Sequence, residues 1–300
     1  MHEFTTLLAN HAHSIEKQLD TLLNDKVQNG EIARPEILIK AMRHGTLNGG
    51  KRLRPFLIIQ SAALFDVPVQ HALNVAAALE CVHCYSLIHD DLPAMDNDIL
   101  RRGQPTVHVA FDEATAILAG NALLTFAFEI IAHKACELSF ETRINLITAL
   151  AHSAGLGGMI GGQLLDLEAE KKPQDCNSII TLQRMKTAAL ISFACQAGAI
   201  IGNASNTVIQ TLADFGTYIG LAFQLSDDLL DVTSSTEVLG KTAGKDVAAH
   251  KATFVHMYGI QETQKKRDEL IAQAEALLQP FGEKAKPLWQ ATHFIATRKN

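Results

Sequence analysis

From Pro173 to Pro280 the chain runs for more than a hundred residues without a proline. Proline lacks the amide hydrogen and its ring strikes the preceding helical turn, so this stretch is free to form long helices. The other prolines are Pro35, Pro55, Pro68, Pro93, Pro105 and Pro287. Hydrophobic residues make up 47% and aromatics only 6%, with Ala and Leu dominant. That balance favours helices packed on helices, and no run alternates with the period of a strand. The reading is an all-α chain folded as one domain over residues 1–300, with ample material for a large core.

Phe4, Leu7, Leu8, Ile15, Leu19, Leu22 and Leu23 recur near helical spacing and predict a helix over 4–23. A polar loop ends at Pro35, a favourable helix start, and a helix over 36–47 is stopped by Asn48-Gly49-Gly50. Further helices are expected over 71–92, 107–133, 141–160, 178–201, 207–232, 262–279 and 284–298. The net charge of −6 provides no basic stripe for neutralising a nucleic acid backbone. Five cysteines (81, 84, 136, 176 and 195) are an odd number, and with no secretory signal they point to reduced thiols in a cytoplasmic protein. Cys81-x-x-Cys84 has no second pair to complete a zinc site, and reads as buried small hydrophobes. No apolar run approaches eighteen residues, so no membrane span is expected.

The apolar helix over 71–92 delivers Asp90, Asp91 and, beyond Pro93-Ala94, Asp96; Arg101-Arg102-Gly103 follows. Two bare carboxylates about 6 Å apart repel by roughly 3 kcal/mol at an effective dielectric near 20. A helix C-terminus disfavours them further. Oxygen-only ligands favour a hard divalent ion such as Mg2+, held by a few carboxylates and a substrate phosphate. A solvated acidic helix end is the bland alternative. His83 lies seven residues before Asp90, on roughly the same helix face.

A second cluster, Asp227-Asp228-x-x-Asp231, places Asp227 and Asp231 on one face, close enough to share a cation. Gly49-Gly50-Lys51-Arg52-Leu53-Arg54 frees the backbone and sets cations at a helix entrance, a pattern that grips anions or simply caps a helix. Glycines crowd residues 157–162, with Gln163 and Asp166 three apart. Lys186 sits in an apolar helix, where it either snorkels or serves a buried anion. Lys241 and Lys245 follow in a segment rich in Ser, Thr and Gly.

Taken in order, Gly49–Arg54, Asp90–Asp96, Arg101-Arg102-Gly103, Gly161-Gly162-Gln163, Lys186-Thr187 and Gln224–Asp231 resemble the motifs of the short-chain trans-prenyl diphosphate synthases, over nearly the whole chain. The resemblance is to the bacterial farnesyl diphosphate synthase (geranyltranstransferase) type. It implies an antiparallel helical bundle of the isoprenoid synthase kind around a deep apolar cavity. It also implies a homodimer and Mg2+-dependent head-to-tail condensation of isopentenyl diphosphate with dimethylallyl and geranyl diphosphate. Three Mg2+ ions would involve Asp90, Asp91, Asp96, Asp227, Asp228 and Asp231. Arg101, Lys186, Thr187, Gln224 and Lys241 would bind the allylic diphosphate, and Gly50, Lys51, Arg54, His83 and Arg102 the isopentenyl one. Tyr85 and Ser86 would gauge product length, with Tyr85 suggesting a floor near fifteen carbons.

Two departures stand out. Lys186-Thr187-Ala188 replaces the usual Lys-Thr-Gly, and residues 250–255 differ from the usual Gly-Lys-x-Thr-Tyr-Pro. A geranylgeranyl diphosphate synthase is the nearest rival. A class I terpene cyclase would not need the second diphosphate grip, and a regulatory subunit would tend to lose aspartates that are all present here.

Overall fold

A computed structural model describes residues 2–169, 171, 175–233 and 254–297 of the chain. Two compact units emerge, the described residues of Met1–Ile59 with Val67–Ile147 and those of Gln60–Asp66 with Thr148–Asn300.

The first unit contains α1 (His2–Leu22), α2 (Glu36–Thr46), the start of α3 (Leu53–Ala63), α4 (Val69–Asp90), the short α5 (Val107–Ala110), α6 (Glu113–Ala132) and the first half of α7 (Phe140–Ala154). Helix α4 is its axis. Ala72, Val75 to Val82, Cys84, Tyr85 and Ile88 are all buried, so α4 is apolar nearly all round, as a core helix must be. It packs on α6, α1 and α2. Small residues permit the close approach: a side chain on Gly120 of α6 would strike the His89 ring, and one on Gly45 of α2 would meet Ile88 Cδ1 at 2.5 Å. Phe4 and Phe56 meet edge to face at 5.4 Å.

The second unit contains α8 (Met159–Ala169), α9 (Cys176–Gln183), α10 (Ala189–Ile201), α11 (Asn206–Thr233), α12 (Phe254–Leu278) and α13 (Lys286–Thr297). Helix α11 packs on α10, α12 and α13. Added Cβ atoms on its Gly216 and Gly220 would lie 2.6 Å from the Cα atoms of Ser192 and Ala188. The small Ala188 is therefore accommodated: it is buried against the bare face of Gly220.

Several expected helices divide, for local reasons. The stretch 107–133 breaks at Phe111-Asp112, where Asp112 caps α6 by accepting from the Thr115 amide at 2.8 Å. The stretch 141–160 breaks at residues 155–158 between α7 and α8. The helix expected from 262 begins at Phe254 and is interrupted at Gly259, with φ of 78°. The all-helical pattern has one small exception among the described residues, an antiparallel pair β1 (Leu100–Arg101) and β2 (Gln104–Pro105). Its two-residue turn, Arg102-Gly103, has φ of 53° and 76°, the left-handed pair that matches the twist of a tight hairpin.

Two stretches, Glu113–Ala132 and Phe140–Ala169, are long and apolar enough to cross a membrane by composition alone. In α6 that apolarity has another use, since Ala116, Ala119, Gly120, Leu123, Ala127, Ile130 and Ile131 are buried. All five cysteines are free, and four are fully buried. Burial pushes the thiols of Cys81, Cys84 and Cys195 well up, which leaves them unreactive.

Candidate active site

The first acidic cluster is built on the C-terminal end of α4. The chain doubles back, so that the Asp96 amide donates to the Asp90 carbonyl at 2.8 Å and the Asp98 amide to the Asp91 carbonyl at 3.2 Å. These bonds satisfy helix-end carbonyls that would otherwise lack partners. The three carboxylates differ sharply in setting. Asp90 is half-buried and Asp96 exposed, whereas Asp91 is buried at 3%. Arg101 donates to Asp91 through Nε at 2.8 and 2.9 Å and through Nη2 at 2.5 Å. Burial pushes the Asp91 carboxyl above its ordinary range even against that guanidinium.

Two turns further back on the same helix is a basic cluster. Arg54, at the start of α3, lies 3.4 Å from His83 Nε2. Arg102, at the exposed hairpin tip, donates to Asn48 Oδ1 at 3.0 Å and also to the Gly49 carbonyl. Gly50, with φ of 121°, leaves room for it: a Cβ there would lie 2.6 Å from Arg102 Cζ. Burial, then the charges of Arg54, Arg102, Arg52 and Arg101, hold His83 well below its usual pKa. Lys51 is exposed beside this group. An anion of high charge is what such a cluster suits.

Tyr85 is 4% exposed, and its hydroxyl is buried with no hydrogen-bond partner. Burial, aided by the Asp90 charge, pushes its pKa up to about 12. Ser86, half-buried, donates to the His83 carbonyl at 2.8 Å.

The second unit carries the other cluster. Residues Arg184–Ala188 form a turn of π-helix between α9 and α10, the wide turn that often marks functional positions. It presents Lys186 to Asp166 at 2.5 Å and Thr187 to Gln224 Oε1 at 3.0 Å. Gly162 makes this possible, because any side chain there would strike the Lys186 backbone. Gln224 in turn donates to Asp228 Oδ1 at 3.0 Å, and Gln183 donates to Asp228 Oδ2 at 3.2 Å. Asp228 is therefore buried and held on both oxygens, like Asp91 in the first cluster. Asp227 and Asp231 are half-buried on the same helix. Lys241 and Lys245 lie outside the described residues, as do residues 250–253 of the variant loop.

Among the described residues no three carboxylate, histidine or cysteine side chains form a ready metal cage. Such a donor set still fits Mg2+, which keeps several waters and takes one or two carboxylates plus substrate phosphate oxygens. Asp231 Oδ2 is buried without a hydrogen-bond partner, the condition of an oxygen left available to a cation. Sequence reasoning counted Arg52 among the cations of the Gly49–Arg54 motif without giving it a separate role, and it missed Glu80 and Gln183; all three are buried polar residues. A signal existed for Glu80, a lone acid within an apolar helical run, since a buried charge demands a partner.

Helical packing, two aspartate clusters and a separate cation cluster define an all-α protein with the donors that a metal-bound diphosphate needs, and its relatives are prenyltransferases. Residues 35–283 match the polyprenyl synthetase family, and the chain belongs to it. It is 45% identical over 250 residues to the farnesyl diphosphate synthase of Escherichia coli, covering 83% of this chain and 84% of the relative. It is 38% identical over 283 residues to the geranylgeranyl diphosphate synthase of Cyanophora paradoxa, covering 94% and 93%. The structure of an FPP/GFPP synthase from Zymomonas mobilis superposes with a TM-score of 0.87 at 39% identity, over 98% of this chain and 99% of that one. A geranyltransferase from Helicobacter pylori, complexed with magnesium and isoprenyl diphosphate, superposes with a TM-score of 0.80 at 32% identity, over 97% and 96%.

Proposed function

We propose that this prenyltransferase condenses isopentenyl diphosphate with dimethylallyl and then geranyl diphosphate, releasing (2E,6E)-farnesyl diphosphate and diphosphate. Asp90, Asp96, Asp227 and Asp231 would hold Mg2+, three ions as the family resemblance implies, alongside the allylic diphosphate. Mg2+ supplies the positive charge that makes diphosphate a good leaving group. Asp91 and Asp228 act in support, by orienting Arg101 and Gln224. Arg101, Lys186, Thr187, Gln224 and Lys241 bind the same diphosphate, so that charge developing as the C–O bond breaks meets fixed donors. Gly50, Lys51, Arg54, His83 and Arg102 hold isopentenyl diphosphate. Its double bond attacks the allylic cation, a C–C bond forms, and the neighbouring proton passes to the released diphosphate. The apolar residues of α4 and α6 exclude water from the cation.

The observation that carries the product assignment is the buried Tyr85, one and a half turns before Asp90, with its hydroxyl unpartnered. A phenol ring there supports a floor to the growing chain near fifteen carbons. Incubation of the protein with labelled isopentenyl diphosphate and each allylic starter, followed by chromatography, tests this. A fifteen-carbon product is expected, and a twenty-carbon product would replace the assignment with geranylgeranyl synthesis. Turnover without isopentenyl diphosphate would instead indicate a cyclase.

The same proposal includes a cytoplasmic homodimer. Ile117 and Leu118 on α6 and Phe140 and Ile144 on α7 are exposed apolar residues of the kind a second copy would cover. Sedimentation at micromolar protein concentration measures it.

A further inference from the structure

Glu80, His83 and Cys84 share one face of α4, as residues three and four apart do. Arg52 reaches this face from the loop before α3. Its side chain is wholly buried, with Nη1 donating to Glu80 Oε1 at 2.5 Å and Nη2 to the Thr46 carbonyl at 2.6 Å. The Thr46 carbonyl is one of those left over at the C-terminal end of α2. Glu16 of α1 stands 3.6 Å from Nη2. One guanidinium thus joins α1, α2 and α4 to the loop.

That loop is conformationally demanding. Gly49, Gly50 and Arg52 have φ of 83°, 121° and 48°. Left-handed backbone at a residue with a side chain persists only where its surroundings over-determine it. Arg52 faces inward, while its neighbours Lys51 and Arg54 are left to the basic cluster. Glu80 also opposes the burial that draws Arg54 below its ordinary range. The pair therefore fixes the position of the loop that carries these cations.

We propose that Arg52 and Glu80 are positioning residues for isopentenyl diphosphate: their buried ion pair presets the loop so that Lys51, Arg54, His83 and Arg102 receive the diphosphate without rearrangement. This rests on the reading of the basic cluster as the isopentenyl diphosphate site. Both side chains are buried behind the basic cluster, which distinguishes them from the four residues they arrange.

Two variants test the pair, Glu80→Gln, which removes the charge, and Arg52→Lys, which keeps it but loses the planar fork. KM is measured separately for isopentenyl and geranyl diphosphate, and isopentenyl diphosphate is titrated calorimetrically into metal-free protein. Each variant should raise the isopentenyl KM, and weaken the calorimetric affinity, by about tenfold or more, with the geranyl KM changed by less than about twofold. Parallel changes in both KM values would overturn the proposal. So would an unchanged isopentenyl affinity in a variant whose melting midpoint has fallen. If Glu80→Gln does not fold, Arg52→Lys decides by the same criteria. Arg54→Ala separates this proposal from its premise. An unaltered isopentenyl KM in Arg54→Ala removes the site assignment, and the proposal with it. A large rise there, with Glu80→Gln and Arg52→Lys unaffected, removes the positioning role alone.

Discussion

Arg101 lies along the Asp91 carboxylate, with Nε 2.8 Å from Oδ1 and Nη2 2.5 Å from the same oxygen. The acid is 4% exposed and the guanidinium 27%, so the pair is shielded from one side. Breaking a fully buried pair costs about 3–5 kcal/mol, because the surviving charge is stranded.

For Arg101→Met, with its partly exposed guanidinium, a loss on the order of 2 kcal/mol is expected in urea unfolding. Asp90→Ala is expected to abolish turnover with a smaller loss of stability. Residual activity in Asp90→Ala would show that the metal assignment of the first cluster is wrong.

Tyr85 separates size from polarity. Tyr85→Ala opens space one and a half turns before Asp90 and should lengthen the product, at a stability cost of about 3 kcal/mol. Tyr85→Phe keeps the ring and removes a buried hydroxyl that has no partner. It should retain the fifteen-carbon product and gain up to about 1 kcal/mol. An unchanged product distribution in Tyr85→Ala, read by chromatography, would refute the floor.

Gly162 lies against the backbone of Lys186 in the π-turn. Gly162→Ala must push that turn away, at about 1–3 kcal/mol for overpacking. Since Lys186 and Thr187 move with it, the KM for the allylic diphosphate should rise while that for isopentenyl diphosphate holds. A variant with wild-type stability and kinetics would mean that α8 shifts freely.

His83 predicts a pH dependence. Burial and the surrounding guanidinium groups keep its ring neutral in the folded protein well below the usual pKa. The unfolded chain takes up that proton near pH 6.5. Lowering the pH therefore favours the unfolded state, and the penalty is absent above about pH 7. Between pH 7.5 and 5.5 this one residue should therefore lower the urea midpoint. His11, half-buried and also depressed, adds to the slope, so the comparison is with His83→Asn. Urea midpoints at the two pH values should differ less in the variant, and an identical difference would sink the argument.

The helical class was legible in the residue order, and so were the two sets of aspartates. Helical period and i, i+4 spacing are local properties that do not depend on what packs where. The hairpin at Arg102-Gly103 and the π-turn at Lys186-Thr187 were not legible. A left-handed turn at an arginine and a widened helical turn are both held in place by distant partners: Asn48 and Gly49 in one case, Gly162 and Gln224 in the other.

By itself, then, the sequence determined the all-α fold class, the six ordered motifs and the donor types available for diphosphate. Only the tertiary structure decided how adjacent, chemically identical residues divide their work. Asp91 and Asp228 are turned inward to Arg101 and to Gln183 and Gln224, beside half-buried Asp90 and Asp227. Arg52 is turned inward to Glu80, between exposed Lys51 and half-buried Arg54. Spacing along a helix or loop assigns a side chain to a face, but whether that face meets solvent or a buried partner depends on helices far away in the chain. The cost of an unpaired buried charge then makes that division obligatory.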